Sequence, residues 1–272
     1  MISLDRMDAA HVLDTEVRGH SIAYRMQGEG PPLVLLHGFL CDSRCWRTQL
    51  DGLSDRFKVI AWDAPGAGAS SDPPETFTIT DWASVLVSFL DALEIGPATV
   101  LGLSWGGMLA QEVYRLYPDR VERLVLADTY AGWKGSLPPD AVEKRVARCY
   151  RDAARPAAEV VDEWVPADFF ADASPELVDE MARVFVDFHP PGFRLMAKSL
   201  AETDTTDLLP RIAVPTLLVW GERDVRSPLD IARAFERAIP RASLEVIQGL
   251  GHVSNMESPT MFNEAVRRFL LP

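Results

Sequence analysis

Positive charge is scarce in this sequence. Lys and Arg number 27 against 40 Asp and Glu, a formal net charge of −13 over 272 residues. Phosphate binding needs a basic surface, so no nucleic acid partner is expected. The acidity reads as a soluble, self-repelling surface. Long apolar runs are missing too. None approaches the ~20 residues of a membrane helix, so no membrane partner is expected. Met1 to Val12 carries acids and lacks a basic start followed by an apolar stretch, so no secretion signal is expected and a cytoplasmic location is read. There are only three cysteines. Cys41 and Cys45 stand one helical turn apart if their segment is helical, and Cys149 is remote; the pattern fits free thiols in a reducing compartment. Neither that pair nor His189, beside Pro190-Pro191, has the neighbours of a metal site, so no metal is expected. Gly66-Ala67-Gly68-Ala69-Ser70 lacks the third glycine of a dinucleotide fingerprint and the Gly-Lys-Ser/Thr of a phosphate loop. It reads as a tight loop and implies no cofactor. Repeats, low-complexity tracts and linkers are absent.

What is present is enough apolar material, 47% of residues, for one large core or a core plus a small appendage. Strands are expected at Leu13-Val17 and Ser21-Gln27, joined by an Arg18-Gly19-His20 turn. Continuous apolar runs follow at Leu33-Leu36, Val59-Trp62, Ala98-Leu101, Leu124-Ala127 and Thr216-Trp220, as expected for strands buried on both faces. Another strand is read at Ser243-Val246. Helices are expected over Asp81-Leu93, with Thr80 as N-cap, after Gly107, over Pro228-Ala238 and over Pro259-Leu270. The alternation predicts a mostly parallel sheet covered on both faces. Between Tyr130 and Val214 the alternation stops. That stretch reads as helices split by Pro138-Pro139, Pro156, Pro166, Pro175 and Pro190-Pro191. It is dense in Trp133, Trp164, Phe169, Phe170, Phe185, Phe188, Phe193 and Met196, and is read as an inserted helical cap.

Gly102-Leu103-Ser104-Trp105-Gly106 is the sharpest signal. It reads G-x-S-x-G between a strand and a helix, where a turn pushes the serine hydroxyl out of the sheet. A hydroxyl needs a base to become a nucleophile. Of five histidines, His252 has the best setting, in the loop after the last strand. Loops after parallel strands gather at one edge, so this loop can approach Ser104. The imidazole needs an acid partner. Asp224, past strand Thr216-Trp220, is favoured; Glu222 and Asp128 compete, and Asp128 is the more serious rival. An oxyanion needs rigid donors. The N–H groups of Phe39, in His37-Gly38-Phe39-Leu40, and of Trp105 are assigned. His37 is read as structural, bonded within its loop. Trp133, Trp164 and Phe193 are the substrate-pocket candidates. Lys134, Arg145, Arg148, Arg183, Arg194 and Lys198 read mostly as a solvated face; one of them could meet a substrate carboxylate.

Together, His37-Gly38-Phe39, Asp63-Ala64-Pro65-Gly66-Ala67-Gly68-Ala69-Ser70, Gly102-Leu103-Ser104-Trp105-Gly106-Gly107, Val214-Pro215-Thr216 through Asp224, and Gly251-His252 resemble the α/β-hydrolase superfamily across essentially the whole chain. The resemblance implies an eight-stranded sheet with a cap and cofactor-independent catalysis. The expected division is residues 1–131 and 212–272 as core, with 132–211 as cap. Ala201-Glu202-Thr203-Asp204 through Ile212, and Gly251-His252 through Glu257, look like 3-oxoadipate enol-lactonases, although Trp105 is bulkier than the Met or Leu expected there. The reading is a serine hydrolase acting on a small or medium carboxylic ester or lactone through an acyl-enzyme. Two alternatives stand beside it: a carbon–carbon bond hydrolase of a vinylogous diketone with the same triad, and a slow-turnover ligand-binding protein. The expected partner is a small-molecule substrate, and a homodimer is allowed for.

Overall fold

The computed structural model describes residues 11–165 and 169–271. Residues 1–10 of the acidic N-terminal stretch, and Pro166 among the expected helix breaks, lie outside the described residues. Eight strands form one sheet: β1 (Leu13–Val17), β2 (His20–Gln27), β3 (Pro32–Leu36), β4 (Lys58–Trp62), β5 (Ala98–Leu103), β6 (Val121–Ala127), β7 (Thr216–Gly221) and β8 (Ala242–Ile247). Their order is β1-β2-β4-β3-β5-β6-β7-β8. The first two strands pair antiparallel, β2 joins β4 antiparallel, and every later pairing is parallel. The β1–β2 turn is shorter than expected. His20 already pairs with Val17, and Arg18 (φ 51°) and Gly19 (φ 81°) make the turn alone. Two consecutive positive φ values give the turn whose twist matches a hairpin.

β5 and β7 are buried along their whole length. Helices cover both faces, which is why these runs show no alternation. α1 (Arg47–Leu53), α2 (Ile79–Ala92), α3 (Trp105–Leu116), α9 (Leu229–Ala238) and α11 (Pro259–Leu270) flank the sheet, and a short α10 (Ser254–Glu257) precedes α11. The start of α2 corrects the expected cap. Thr78, not Thr80, is the N-cap: its side chain accepts from the Asp81 N–H while Asp81 bonds back to the Thr78 N–H. This reciprocal box outweighs the local appeal of Thr80, because it satisfies two otherwise orphaned donors at once.

Between β6 and β7 lie α4 (Gly132–Ser136), α5 (Pro139–Asp152), α6 (Ala157–Trp164), α7 (Pro175–Phe185) and α8 (Pro190–Glu202). Prolines open this segment's helices rather than merely breaking it. Pro139, Pro175 and Pro190 each occupy the first helical position, where no N–H is required, and Pro156 sits at the cap of α6. α5 buries only Cys149 and Asp152, whereas α8 buries Phe193, Leu195, Met196 and Leu200 among others. α8 is seated on the loop after β4: an added Cβ on Gly192 would collide with the Gly66 carbonyl.

Candidate active site

β5 ends at Leu103 and α3 begins at Trp105, leaving Ser104 alone in the corner. Its backbone is held at φ 52°, ψ −113°. Such a conformation costs a non-glycine residue about 1–3 kcal/mol and persists only where the surroundings enforce it. Here the Ser104 N–H donates to Ala127 O at 2.9 Å, and Thr129 Oγ1 donates to Ser104 O at 2.5 Å. The turn is tight enough to demand glycine on both sides. A Cβ on Gly102 would strike the Gly106 carbonyl, and one on Gly106 would strike Leu36 O. The last contact ties the elbow to the end of β3, so the loop carrying Phe39 lies against the serine.

His252 follows β8, as expected. Its N–H donates to Phe169 O at 2.9 Å, and the N–H of Gly251 donates to Glu257 Oε1 at 2.7 Å, which fixes the loop. The ring Nδ1 lies 2.8 Å from Asp224 Oδ2 and Nε2 lies 2.9 Å from Ser104 Oγ. An ionised carboxylate only accepts, so Nδ1 carries the hydrogen and Nε2 presents its lone pair to the hydroxyl. All three side chains are buried, His252 at 1% exposure. Burial lowers the His252 pKa; the charge of Asp224 opposes this, while Arg226 and Arg145 push it lower still. A neutral imidazole facing a hydroxyl is set to act as a base. Asp224 is itself fixed, since its Oδ1 accepts from the N–H groups of Arg226 and Ser227, each at 2.8 Å.

The rival acids are engaged elsewhere. Asp128 accepts from Gly221 N at 2.8 Å and from Ser254 Oγ at 2.6 Å. Burial, reinforced by the negative charge of Asp224, pushes its carboxyl well above the ordinary range. Glu222 is exposed and accepts from Gly249 N. His37 bonds more widely than within its own loop. Its Nε2 accepts from the Ala64 N–H at 3.0 Å, so Nδ1 donates to Gly38 O at 2.8 Å. It thereby stitches the loop after β3 to the loop after β4. Gly38 stands at the serine: an added Cβ there would lie 3.4 Å from Ser104 Cβ. Among the described residues neither the Phe39 nor the Trp105 N–H donates to another backbone group. For Trp105 this follows from its position at the start of α3, where no preceding helical carbonyl exists.

The three pocket candidates meet on one ring. The Phe39 centroid lies 4.7 Å from Phe193, 6.0 Å from Trp164 and 6.4 Å from Trp133. The indole of Trp105 turns away, packing on Trp82 at 5.2 Å and donating from Nε1 to Ser199 Oγ at 2.9 Å. Its bulk is absorbed by the contact between α2, α3 and α8. Two rings outside the three pocket candidates stand beside His252: Phe169 at 5.9 Å and Tyr130 at 6.2 Å.

Residues 31–259 match the family model described as the alpha/beta hydrolase fold. The chain is 28% identical to 3-oxoadipate enol-lactonase 2 of Acinetobacter baylyi over 241 residues, 88% of each chain. A thermophilic esterase from Thermogutta terrifontis, solved with malate bound, superposes with a TM-score of 0.87 at 31% identity, covering 96% of this chain and 98% of that one. The enol-lactonase of Burkholderia xenovorans LB400 superposes with a TM-score of 0.87 at 27% identity, over 96% of this chain and all (100%) of that one.

Proposed function

The chain belongs to the alpha/beta hydrolase fold family, and from that membership we propose that it is a serine hydrolase cleaving a small or medium carboxylic ester or lactone. The observation that carries the proposal is the unbroken buried relay from Ser104 Oγ through His252 to Asp224, 2.9 Å and 2.8 Å long. In this reading Ser104 Oγ attacks the carbonyl carbon and its proton passes to His252 Nε2. Asp224 stabilises the imidazolium so formed. The N–H groups of Phe39 and Trp105 receive the oxyanion, a contact worth about 2.7–4 kcal/mol per donor in comparable sites. Collapse expels the alcohol oxygen, which takes the proton from His252; in a lactone it stays tethered to the acyl group. A water then gives its proton to His252 and attacks the acyl carbon, and Ser104 departs with that proton.

Residues 1–131 and 212–272 supply every group in this sequence. Residues 132–211 act as a cap, closing aromatic walls over Phe39 so that water is held away until the alcohol leaves. Among the described residues no helix is long and apolar enough to cross a membrane, and Cys41, Cys45 and Cys149 are free and buried, which supports a reducing, cytoplasmic setting. The test is turnover of p-nitrophenyl acetate and a panel of lactones, together with labelling by a fluorophosphonate. Multiple turnover and modification at Ser104 alone are expected. Cleavage of a vinylogous diketone without ester hydrolysis would move the reading to carbon–carbon hydrolysis, and a single slow turnover would move it to ligand binding.

A further inference from the structure

Helix α8 grips the side chains of both residues whose N–H groups are assigned to the oxyanion. Near its start, Phe193 stacks on the Phe39 ring at 4.7 Å. Near its end, Ser199 Oγ accepts from Trp105 Nε1 at 2.9 Å and donates to Met196 O at 2.7 Å. The hydroxyl hydrogen is thus used within α8, and a lone pair is left for the indole. Both partners are buried. A buried indole N–H normally finds an acceptor, and it can do so close to home. Trp82 and Trp220 donate within the sheet half, to Pro65 O and Ser227 O, and Trp164 donates within the insertion, to Asp152. The Trp105 bond crosses from one region to the other.

The same indole reaches the loop of the other donor. Its ring lies 6.0 Å from that of His37, tilted by 31°, and His37 bonds to Gly38 O and to the Ala64 N–H. Trp82 meets Trp105 edge-on at 5.2 Å and is itself tied to Pro65. α8 returns to this loop after β4, where Gly192 abuts Gly66. The elbow, the loops after β3 and β4, and α8 therefore close a circuit of contacts around the two donors. Donor position matters steeply, since a misplacement of about 1 Å in an active site can cost roughly 10²-fold in rate. We propose that Ser199 is a positioning residue for the oxyanion site: through the Trp105 indole it holds the Trp105 and Phe39 N–H groups at the spacing the transition state needs. The proposal rests on the hydrolase reading and deepens it, and Ser199 itself touches no reacting atom.

The test compares Ser199→Ala with Ser199→Thr, which keeps the hydroxyl. In hydrolysis of p-nitrophenyl acetate, Ser199→Ala should lower kcat about tenfold. Acylation and deacylation both use the oxyanion donors, so KM should stay within about twofold. Ser199→Thr should recover most of the loss. A trifluoromethyl ketone, whose adduct with Ser104 carries an oxyanion, should bind Ser199→Ala more weakly by the same factor as kcat falls. A bond that only satisfied the indole would lower the unfolding midpoint and leave this affinity alone. Coupling is reciprocal, so the wild type gives a readout that needs no variant to fold. Adduct formation should slow hydrogen exchange of the Trp105 indole N–H at least fivefold more than that of Trp220, which bonds to Ser227 O. A kcat for Ser199→Ala within twofold of wild type, a loss with unchanged ketone affinity, or equal slowing at the two indoles overturns the positioning role while leaving the hydrolase reading intact. Absence of ester turnover by the wild type overturns the hydrolase reading itself, and the role of Ser199 with it.

Discussion

Two regions of this molecule position side chains by different means. In the sheet half, backbone decides. Ser104, Asp224 and His252 each follow the C-terminal end of a parallel strand, β5, β7 and β8. Main-chain donors or carbonyls then hold each one: Ala127 O for Ser104, the N–H groups of Arg226 and Ser227 for Asp224, Phe169 O for His252. In the inserted helices, side chains decide. Phe193 stacks on Phe39, Trp164 meets it tilted and Trp133 edge-on, and Trp164 also meets Phe193 edge-on; Arg145 lies over Trp133 and Arg148 over Trp164. Backbone placement tolerates little change, since a single Cβ at Gly102 or Gly106 collides. Side-chain placement can be retuned one residue at a time. On the proposed function, bond breaking would fall to the first region and substrate choice to the second.

The largest effect that could break this division is at the nucleophile. Ser104→Ala should lower kcat by about 10⁴-fold or more, because the triad acts as a unit, while leaving the thermal unfolding midpoint at or above wild type, since the strained backbone is unchanged. Retention of near-wild-type activity would remove the sheet half's claim to the chemistry. Next comes the pair of acids. Asp224→Asn leaves the wrong tautomer facing Ser104 and should cost on the order of 10³–10⁴-fold in kcat. Asp128→Asn should cost far less activity and show instead as lost stability, about 1–3 kcal/mol, since it disturbs the buried bonds to Gly221 and Ser254. Steady-state kinetics and denaturant melts on both variants decide this; reversed activity losses would put the catalytic acid just after β6.

Truncation in the insertion is expected to do less to the chemistry. Trp164→Ala removes a ring that touches Phe39 and Phe193 at once. It should destabilise the fold by about 3–5 kcal/mol and reorder the preference among acyl chains by roughly 10–100-fold. Labelling of Ser104 by a small phosphonate should stay within about tenfold of wild type. Equal slowing of every substrate and of the probe would show that the insertion shares in the chemistry.

The same divide explains what could be read before the structure. The strands and the juxtaposition of Ser104, His252 and Asp224 are legible in the sequence because each depends on local signals: an apolar run, a glycine-bounded turn, a loop placed after a strand. The cap of α2 differs from the expected Thr80: Thr78 precedes the helix, Thr80 is its second residue, and the Asp81 side chain chooses between the two threonines. α10 was not foreseen, being too short for a period to show. Composition alone suggests Trp133, Trp164 and Phe193 as pocket candidates, and it does not reveal that their rings meet on Phe39. Contacts such as Arg145 with the carbonyl of Arg226, 81 residues apart, or Phe169 with His252 depend on how the insertion folds back. No local pattern encodes that.

The smallest effect expected is also the one that joins the two regions. Neutral His252 is the reactive form, so kcat/KM for a neutral ester should fall as pH drops through its pKa. Burial lowers that pKa, so the midpoint of the acid limb lies below the ordinary histidine value of about 6.5. The same shift makes a stability statement. The folded pKa is depressed relative to the unfolded chain, so the contribution is present above the unfolded value and is lost as pH falls through the folded one. Arg145, in the insertion, is among the charges that hold the imidazole low. Arg145→Met should therefore move the acid limb upward, towards the ordinary value. Lys144→Met, removing an exposed cation one residue away that pairs with Asp140 at the surface, should leave it in place. A pH profile of p-nitrophenyl acetate hydrolysis for the three proteins makes the comparison. An unmoved or lowered midpoint in Arg145→Met would confine the insertion to shape. An equal rise in Lys144→Met would reduce the effect to net charge. A rise in Arg145→Met alone shows a cation of the insertion tuning the base.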